Sequence, residues 1–236
     1  MIDLHAQSGG HALLVMTLAL LDHHNLFEEL NLDRATMMRF LRAIETGYGD
    51  NKYHNSVHGA DVALSTHLFF HKFGLLKRLS KTDIFSAIIG AVIHDFNHPG
   101  TTNAHESRAL TDRAICHSDI STLEAHHLHS TFTLLRQPGL DIFESMKPED
   151  RAECRKLIIG LVLATDLAKH MDTVKWLRNL ANEKGFAKAQ SFGEEGEWTS
   201  PFHDGKEIEV PRLLSIAVKW ADLGHVCKNN ELHRTW

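Results

Sequence analysis

Histidine and carboxylate recur in this sequence at spacings that could hold metal ions. His54 and His58 stand four residues apart in Tyr53-His54-Asn55-Ser56-Val57-His58, so on a helix or its first turn they share one side. His94-Asp95 is followed by His98 at the same four-residue interval from His94, and Glu124-Ala125-His126-His127 adds a further cluster. Three apolar runs end in aspartate: Ile88 to Ile93 leads into His94-Asp95, Ile158 to Ala164 into Thr165-Asp166, and Leu213 to Ala221 into Asp222. A helix that is apolar on most faces is buried, and a carboxylate at its end suffers both desolvation and the negative end of the helix dipole. A nearby cation removes both penalties. One such aspartate is better explained by its helix reaching solvent, whereas three, one of them beside a histidine, shift the balance towards a metal site. Imidazole nitrogen with carboxylate oxygen suits zinc, manganese or iron, and carboxylate with waters suits magnesium or manganese. Two different metals are therefore consistent with the residue types.

The elements that must position these groups are helical. Apolar residues recur at three- and four-residue spacing, with no sustained alternation to suggest a sheet, and the expected fold class is all-α. Helices are expected over 11–24, 34–47, 55–73, 82–96, 104–115, 119–136, 149–165, 167–183 and 210–223. Ser80 followed by Asp83 resembles a capping box, and Pro148 stands where a first-turn proline is tolerated. Gly74 and Gly139 fall where helices should end. The stretch 184–209 mixes Gly, Glu, Ser, Pro and Asp and reads as a surface loop. The stretch Ala12 to Leu21 is too short to span a membrane and has no Lys or Arg before it, so it reads as a core helix.

Composition narrows the function classes. The formal net charge is -5 and there is no long Lys/Arg run, which argues against an electrostatic surface for polymeric nucleic acid or an anionic membrane. Cys116, Cys154 and Cys227 are far apart and lack CxxC spacing. A disulfide framework or thiolate zinc site is disfavoured, and they read as packing residues in a reducing compartment. Of the 19 histidines, those outside the clusters above, including His5, His11, His23, His24, His71 and His203, are expected on solvated surface.

The segments YHNSVHGADV, HDFNHPGTTN, SDISTLEAHH, LVLATDLAKHM and VKWADLGH resemble, in order and approximate spacing, the signature segments of the class I 3',5'-cyclic nucleotide phosphodiesterases of the HD superfamily. The resemblance implies a single all-helical catalytic domain over 1–236 with two divalent ions, Zn2+ and Mg2+ (or Mn2+), at the bottom of a pocket. It implies His58, His94, Asp95 and Asp222 as ligands of the first metal, with Asp95 bridging to the second. Waters of the second would be held through His98, Glu124, His127 and Thr165, with Asp166 close by. His54 matches the general acid, Tyr53 lines the same wall, and His225 would face the base. Two cations about 3.5–4 Å apart can bind phosphate oxygens and lower the pKa of a bridging water, while a protonated histidine serves the leaving O3'. The implied substrate is cAMP or cGMP in cyclic nucleotide signalling, in the cytoplasm or on the cytosolic side of a membrane, with a dimer or flanking regulatory domains left open.

The sequence departs from that pattern in places. Gly59 stands where alanine is common, and Asn97 where aspartate is frequent. The family's domain normally continues past the final metal aspartate, so the expectation is a C-terminally incomplete domain lacking the base-binding glutamine. Two alternatives stay open: another HD-type phosphohydrolase, or a weakly active chain serving as a binding module.

Overall fold

The computed structural model describes residues 1–183 and 209–224. Its elements are α1 (Ile2–Gln7), α2 (Ala12–His23), α3 (Leu26–Glu29), α4 (Arg34–Gly47), α5 (Ser56–Lys72), α6 (Lys81–Ile93), α7 (Asn103–Ala109), α8 (Asp112–Cys116), α9 (Thr122–Leu135), α10 (Pro148–Thr165), α11 (His170–Glu183) and α12 (Val210–Asp222). Short 3-10 turns at Leu75–Lys77 and Leu167–Lys169 complete them. Among the described residues there is no strand, and the all-α expectation holds. The expected loop over 184–209 falls almost wholly outside the described residues.

The apolar run of α6 decides the architecture. Every residue from Thr82 to Ile93 is buried, which requires cover on all sides. That cover comes from α5 and α10 on either hand, with α12 packed on both of them and α2 laid against α5. The helix begins with the capping box expected at Ser80 and Asp83: each side chain accepts from the other residue's backbone N–H, at 3.0 and 2.9 Å. Such a cap stabilises by about 1 kcal/mol. Pro148 occupies the first turn of α10, and Gly74 adopts φ 63° just beyond α5. Ala12, Leu13, Leu20 and Leu21 are buried as a core helix should be.

Three expectations need correction. The single helix over 104–115 is broken: Leu110 enters the left-handed region at φ 49°, and Thr111 caps a new start by accepting from Ala114 N at 3.2 Å. The helix expected to reach residue 96 stops at Ile93, and the chain turns through His94 to Asn97 at φ 59°. Asparagine tolerates that conformation better than a branched residue. Helices α1 and α3 are too short for periodicity to reveal. Cys154 is buried, but Cys116 is exposed and therefore does not serve packing, while Cys227 lies outside the described residues.

Candidate active site

Asparagine caps set the first wall of the site. Asn55 precedes α5, and its Oδ1 accepts from Val57 N at 3.0 Å and His58 N at 3.1 Å. Its Nδ2 donates to the carbonyls of Asn51 and Lys52. Asn51 in turn donates to His98 O at 2.7 Å, tying the loop that bears His54 to the loop that bears His98. The two imidazoles stack, with centroids 3.9 Å apart and planes within 7°. Tyr53 lies against both His54 and His58, at 5.0 and 4.6 Å between ring centroids.

Behind that wall, α5, the end of α6 and the end of α12 converge. His58 Nε2 lies 3.1 Å from Asp222 Oδ1 and 3.5 Å from Asp95 Oδ2. His94 Nε2 lies 3.3 Å from Asp95 Oδ2 and 3.4 Å from Asp222 Oδ1. His94 Nδ1 donates to Ala91 O at 2.8 Å, which leaves Nε2 buried with no hydrogen-bond partner. A neutral ring fixed by its Nδ1–H presents the Nε2 lone pair. Two carboxylates and that lone pair aimed at one point form an electron-rich cage, and a divalent cation fits it. Burial lowers the proton affinity of His58 and His94, but Asp95 and Asp222 outweigh it and raise both, His94 strongly. The carboxylates respond in the opposite sense: burial raises them, and the two imidazoles hold both well below the usual range. A divalent cation held at the same point would displace the imidazole proton and meet the Nε2 lone pair of His94 instead.

A second set shares Asp95. The ligating atoms of Asp95, His98 and His127 lie within 4.8 Å of one another. His127 Nδ1 donates to Phe96 O at 2.8 Å, so its Nε2 lone pair faces Asp95 Oδ1 at 3.7 Å. His98 differs: its Nδ1 accepts from Gly100 N at 2.9 Å, so the neutral ring carries its proton on Nε2. That nitrogen donates, which suits a water oxygen better than an ion. Burial keeps both rings neutral, pushing His98 down to about 4 and His127 to about 3.

A cleft of about 370 Å³ opens over these groups, lined by His54, Asp95, His98, Glu124, His127, Thr165, Asp166 and Asp222 among others. Burial raises the Glu124 carboxyl, against a hydrogen bond from Asn103 Nδ2 at 3.0 Å. Thr165 Oγ1 donates to Val162 O at 2.8 Å. Asp166 spends both oxygens locally, accepting from Ser121 Oγ at 2.8 Å and Ala168 N at 2.9 Å. It lines the cleft chiefly as a turn cap. His225 lies outside the described residues.

Several positioning residues escaped the motif reading. Lys219, buried within the apolar run of α12, donates to the carbonyls of Ala164 at 3.0 Å and Asp166 at 2.7 Å, binding α12 to the end of α10. A lysine inside a run of buried residues was the available signal. Glu106 is fully buried and receives hydrogen bonds from Thr101, Thr111 and both Nε and Nη2 of Arg113. It fixes the segment from Thr101 to Asn103 that forms one rim of the cleft. Nothing in local spacing marks it. Gly59, noted as a departure, is required: a Cβ there would meet Tyr48 Oη at 2.9 Å and Leu13 Cδ1 at 3.3 Å.

The fold is that of known phosphodiesterase domains. The chain superposes on the phosphodiesterase domain of the RhoPDE fusion protein from the choanoflagellate Salpingoeca rosetta with a TM-score of 0.81, at 22% identity, covering 95% of this chain and 66% of that one. A second structure of the phosphodiesterase domain of Salpingoeca rosetta rhodopsin phosphodiesterase gives a TM-score of 0.79 at 23% identity, covering 95% of this chain and 64% of that one. Residues 53–236 match the model of the 3'5'-cyclic nucleotide phosphodiesterase family, and the chain belongs to that family. It is 32% identical over 236 residues to human dual specificity calcium/calmodulin-dependent 3',5'-cyclic nucleotide phosphodiesterase 1B, covering 99% of this chain and 40% of that protein. It is 31% identical to the mouse 1C protein, covering 99% of this chain and 31% of its relative. The chain thus spans well under half the length of these curated relatives. No helix among the described residues is long and apolar enough to cross a membrane.

Proposed function

We propose that this chain carries the hydrolytic centre of a 3',5'-cyclic nucleotide phosphodiesterase, converting cAMP or cGMP to the 5'-monophosphate in cyclic nucleotide signalling. The observation that supports this most is the meeting of Asp95 and Asp222 with the partnerless Nε2 of His94 and with His58. In this reading His58, His94, Asp95 and Asp222 hold a zinc ion, and Asp95 reaches towards a second, magnesium or manganese. Bound divalent ions supply Lewis acidity for the phosphate oxygens and for the attacking water.

The remaining chemistry belongs to side chains. Water oxygen bonds to phosphorus and gives up a proton, the P–O3' bond breaks, and O3' leaves with a proton from His54, which takes up a proton again from solvent once the product has gone. Burial foremost, with His58 and His94 beside it, lowers the proton affinity of His54 against the pull of Asp95 and Asp222. An anionic phosphate in the cleft raises that affinity by Coulomb attraction, so the proton is best held when substrate is bound. Stacking on His98 fixes the ring plane. The Nε2 donor of His98, the lone pair of His127, Glu124 and the oxygen of Thr165 serve to orient waters across the cleft, and Tyr53 supports His54 and His58 from outside.

Purified chain loaded with zinc and magnesium should hydrolyse cyclic nucleotides. Turnover of linear phosphoesters alone would favour a different HD-type hydrolase. Metal uptake without turnover of either class would leave the chain as a binding module.

A further inference from the structure

Three of the histidines expected on solvated surface meet instead. His23 ends α2, His24 is its cap, and His67 comes from α5 nine residues after His58. That separation is a rise of about 13 Å along the helix, so the trio is spatially distinct from the cleft. Their ring centroids form a nearly equilateral triangle, at 4.9 Å for His23 and His24, 5.1 Å for His23 and His67, and 5.0 Å for His24 and His67. One ligating nitrogen from each lies within 4.8 Å of the others, and His24 Nε2 and His67 Nδ1 share a hydrogen bond at 3.0 Å, whose proton moves to another ring nitrogen or to solvent when an ion takes both lone pairs.

These distances suit a metal ion. Two nitrogens bound at about 2.0–2.1 Å in tetrahedral geometry are about 3.3 Å apart, so His24 and His67 need to separate by only a few tenths of an ångström. His24 is buried while His23 is exposed, leaving a fourth position open to water. The carbonyl end of α2 points negative potential at the same place. Lys81 opposes a cation through its bond to His24 O at 2.8 Å, but Glu29 Oε1 sits 3.7 Å from that ammonium and offsets part of its charge. Crowding already disfavours protons here: burial, then His67 and His23, push His24 down to about 4. The set is all imidazole with no carboxylate, which selects a nitrogen-preferring transition ion and disfavours magnesium or calcium.

We propose that His23, His24 and His67 form an additional zinc site that clips the C-terminal end of α2 to the outer half of α5. It stands independently of the catalytic reading above. Its role is structural: α2 is held against the helix that carries His58, at the end remote from the cleft. Copper(II) should compete effectively, as the Irving–Williams order requires.

The test is a zinc titration of the chelator-stripped chain against a chromophoric chelator, repeated on His23→Ala, His67→Asn and Asp222→Asn. The unaltered chain should take up one equivalent more than His23→Ala or His67→Asn, and zinc should raise its unfolding temperature further than theirs. Because His23 is exposed, its replacement leaves the fold intact and keeps the comparison decisive. Asp222→Asn should retain this equivalent, and His23→Ala should leave cyclic nucleotide turnover unchanged. With copper(II), the spectrum should show several nitrogen donors in the unaltered chain and lose that signature in His23→Ala. Equal zinc stoichiometry in the unaltered chain and His23→Ala would overturn the proposal, as would an additional equivalent that disappears with Asp222→Asn.

Discussion

His54 lies flat on His98, their ring centroids 3.9 Å apart and their planes within 7°. The stack is fixed from behind by Asn51, which donates to His98 O at 2.7 Å, so the proton donor proposed for the leaving oxygen is positioned by a neighbour that also faces the metal cage. His54→Ala should keep both metals and lose turnover by about 10²- to 10⁴-fold. A general acid is active only when protonated, so kcat/KM of the unaltered enzyme should fall as pH rises through the pKa of His54, which burial holds below the ordinary histidine value of 6.5 in the free protein. Loss of that limb in His54→Ala, with metal content unchanged, is the measurement. Loss of metal would make His54 a ligand instead.

Metal uptake should release protons. The carboxylates raise His58 and His94 above the ordinary histidine value, so the metal-free cage holds protons more firmly than free imidazoles do, and a divalent ion must displace them. Affinity should therefore weaken as pH falls, and calorimetry in buffers of different ionisation enthalpy should detect the released protons. Asp222→Asn should lose the tighter ion, and chelation of the unaltered chain should lower its unfolding temperature.

Gly59 and Tyr48 should prove coupled. A methyl at Gly59 would lie 2.9 Å from Tyr48 Oη, which itself donates to Val92 O at 2.8 Å. Gly59→Ala should destabilise by about 1–3 kcal/mol. In the background of Tyr48→Phe the same change should cost less, and a double-mutant cycle by urea unfolding measures the difference.

Glu106 should act on the cleft from a distance. Its carboxyl is held down to about 2 by Arg113 foremost, with the hydroxyls of Thr101 and Thr111 adding to it against burial. A lowered acid favours folding above its unfolded value of 4.5, and that contribution is lost as pH falls from there towards about 2. Glu106→Gln should cost about 2 kcal/mol at neutral pH and flatten the acid limb of stability over that window. KM should rise more than metal content changes, because the rim from Thr101 to Asn103 loosens.

Lys219→Met keeps the length of the side chain and removes both hydrogen bonds to the end of α10. Each buried carbonyl left without its donor costs about 1–3 kcal/mol. The expected result is a lower unfolding temperature with uptake of the divalent ion proposed at Asp222 unchanged, read by thermal denaturation beside metal analysis.

The sequence by itself determined the helical class, the capped start at Ser80, the first-turn proline of α10 at Pro148, and the residue types at the cage, because each depends on spacing within one helix or turn. His54 and His58 share a side through a four-residue interval that the chain alone specifies. The break at Leu110 was not legible, since the exposed leucine turns left-handed where buried Glu106 takes hydrogen bonds from Thr111 and Arg113 beyond it, and nothing in local spacing marks those contacts. Only the tertiary structure could bring His58 to Asp222 across 164 residues of chain. It alone decided which nitrogen of His94 lacks a partner, which oxygens of Asp166 are already used, and which histidines beyond the motifs meet. Those outcomes follow from how α2, α5, α10 and α12 pack around α6, and burial turns the same residue type into a surface group, a cap or a ligand according to what that packing places beside it.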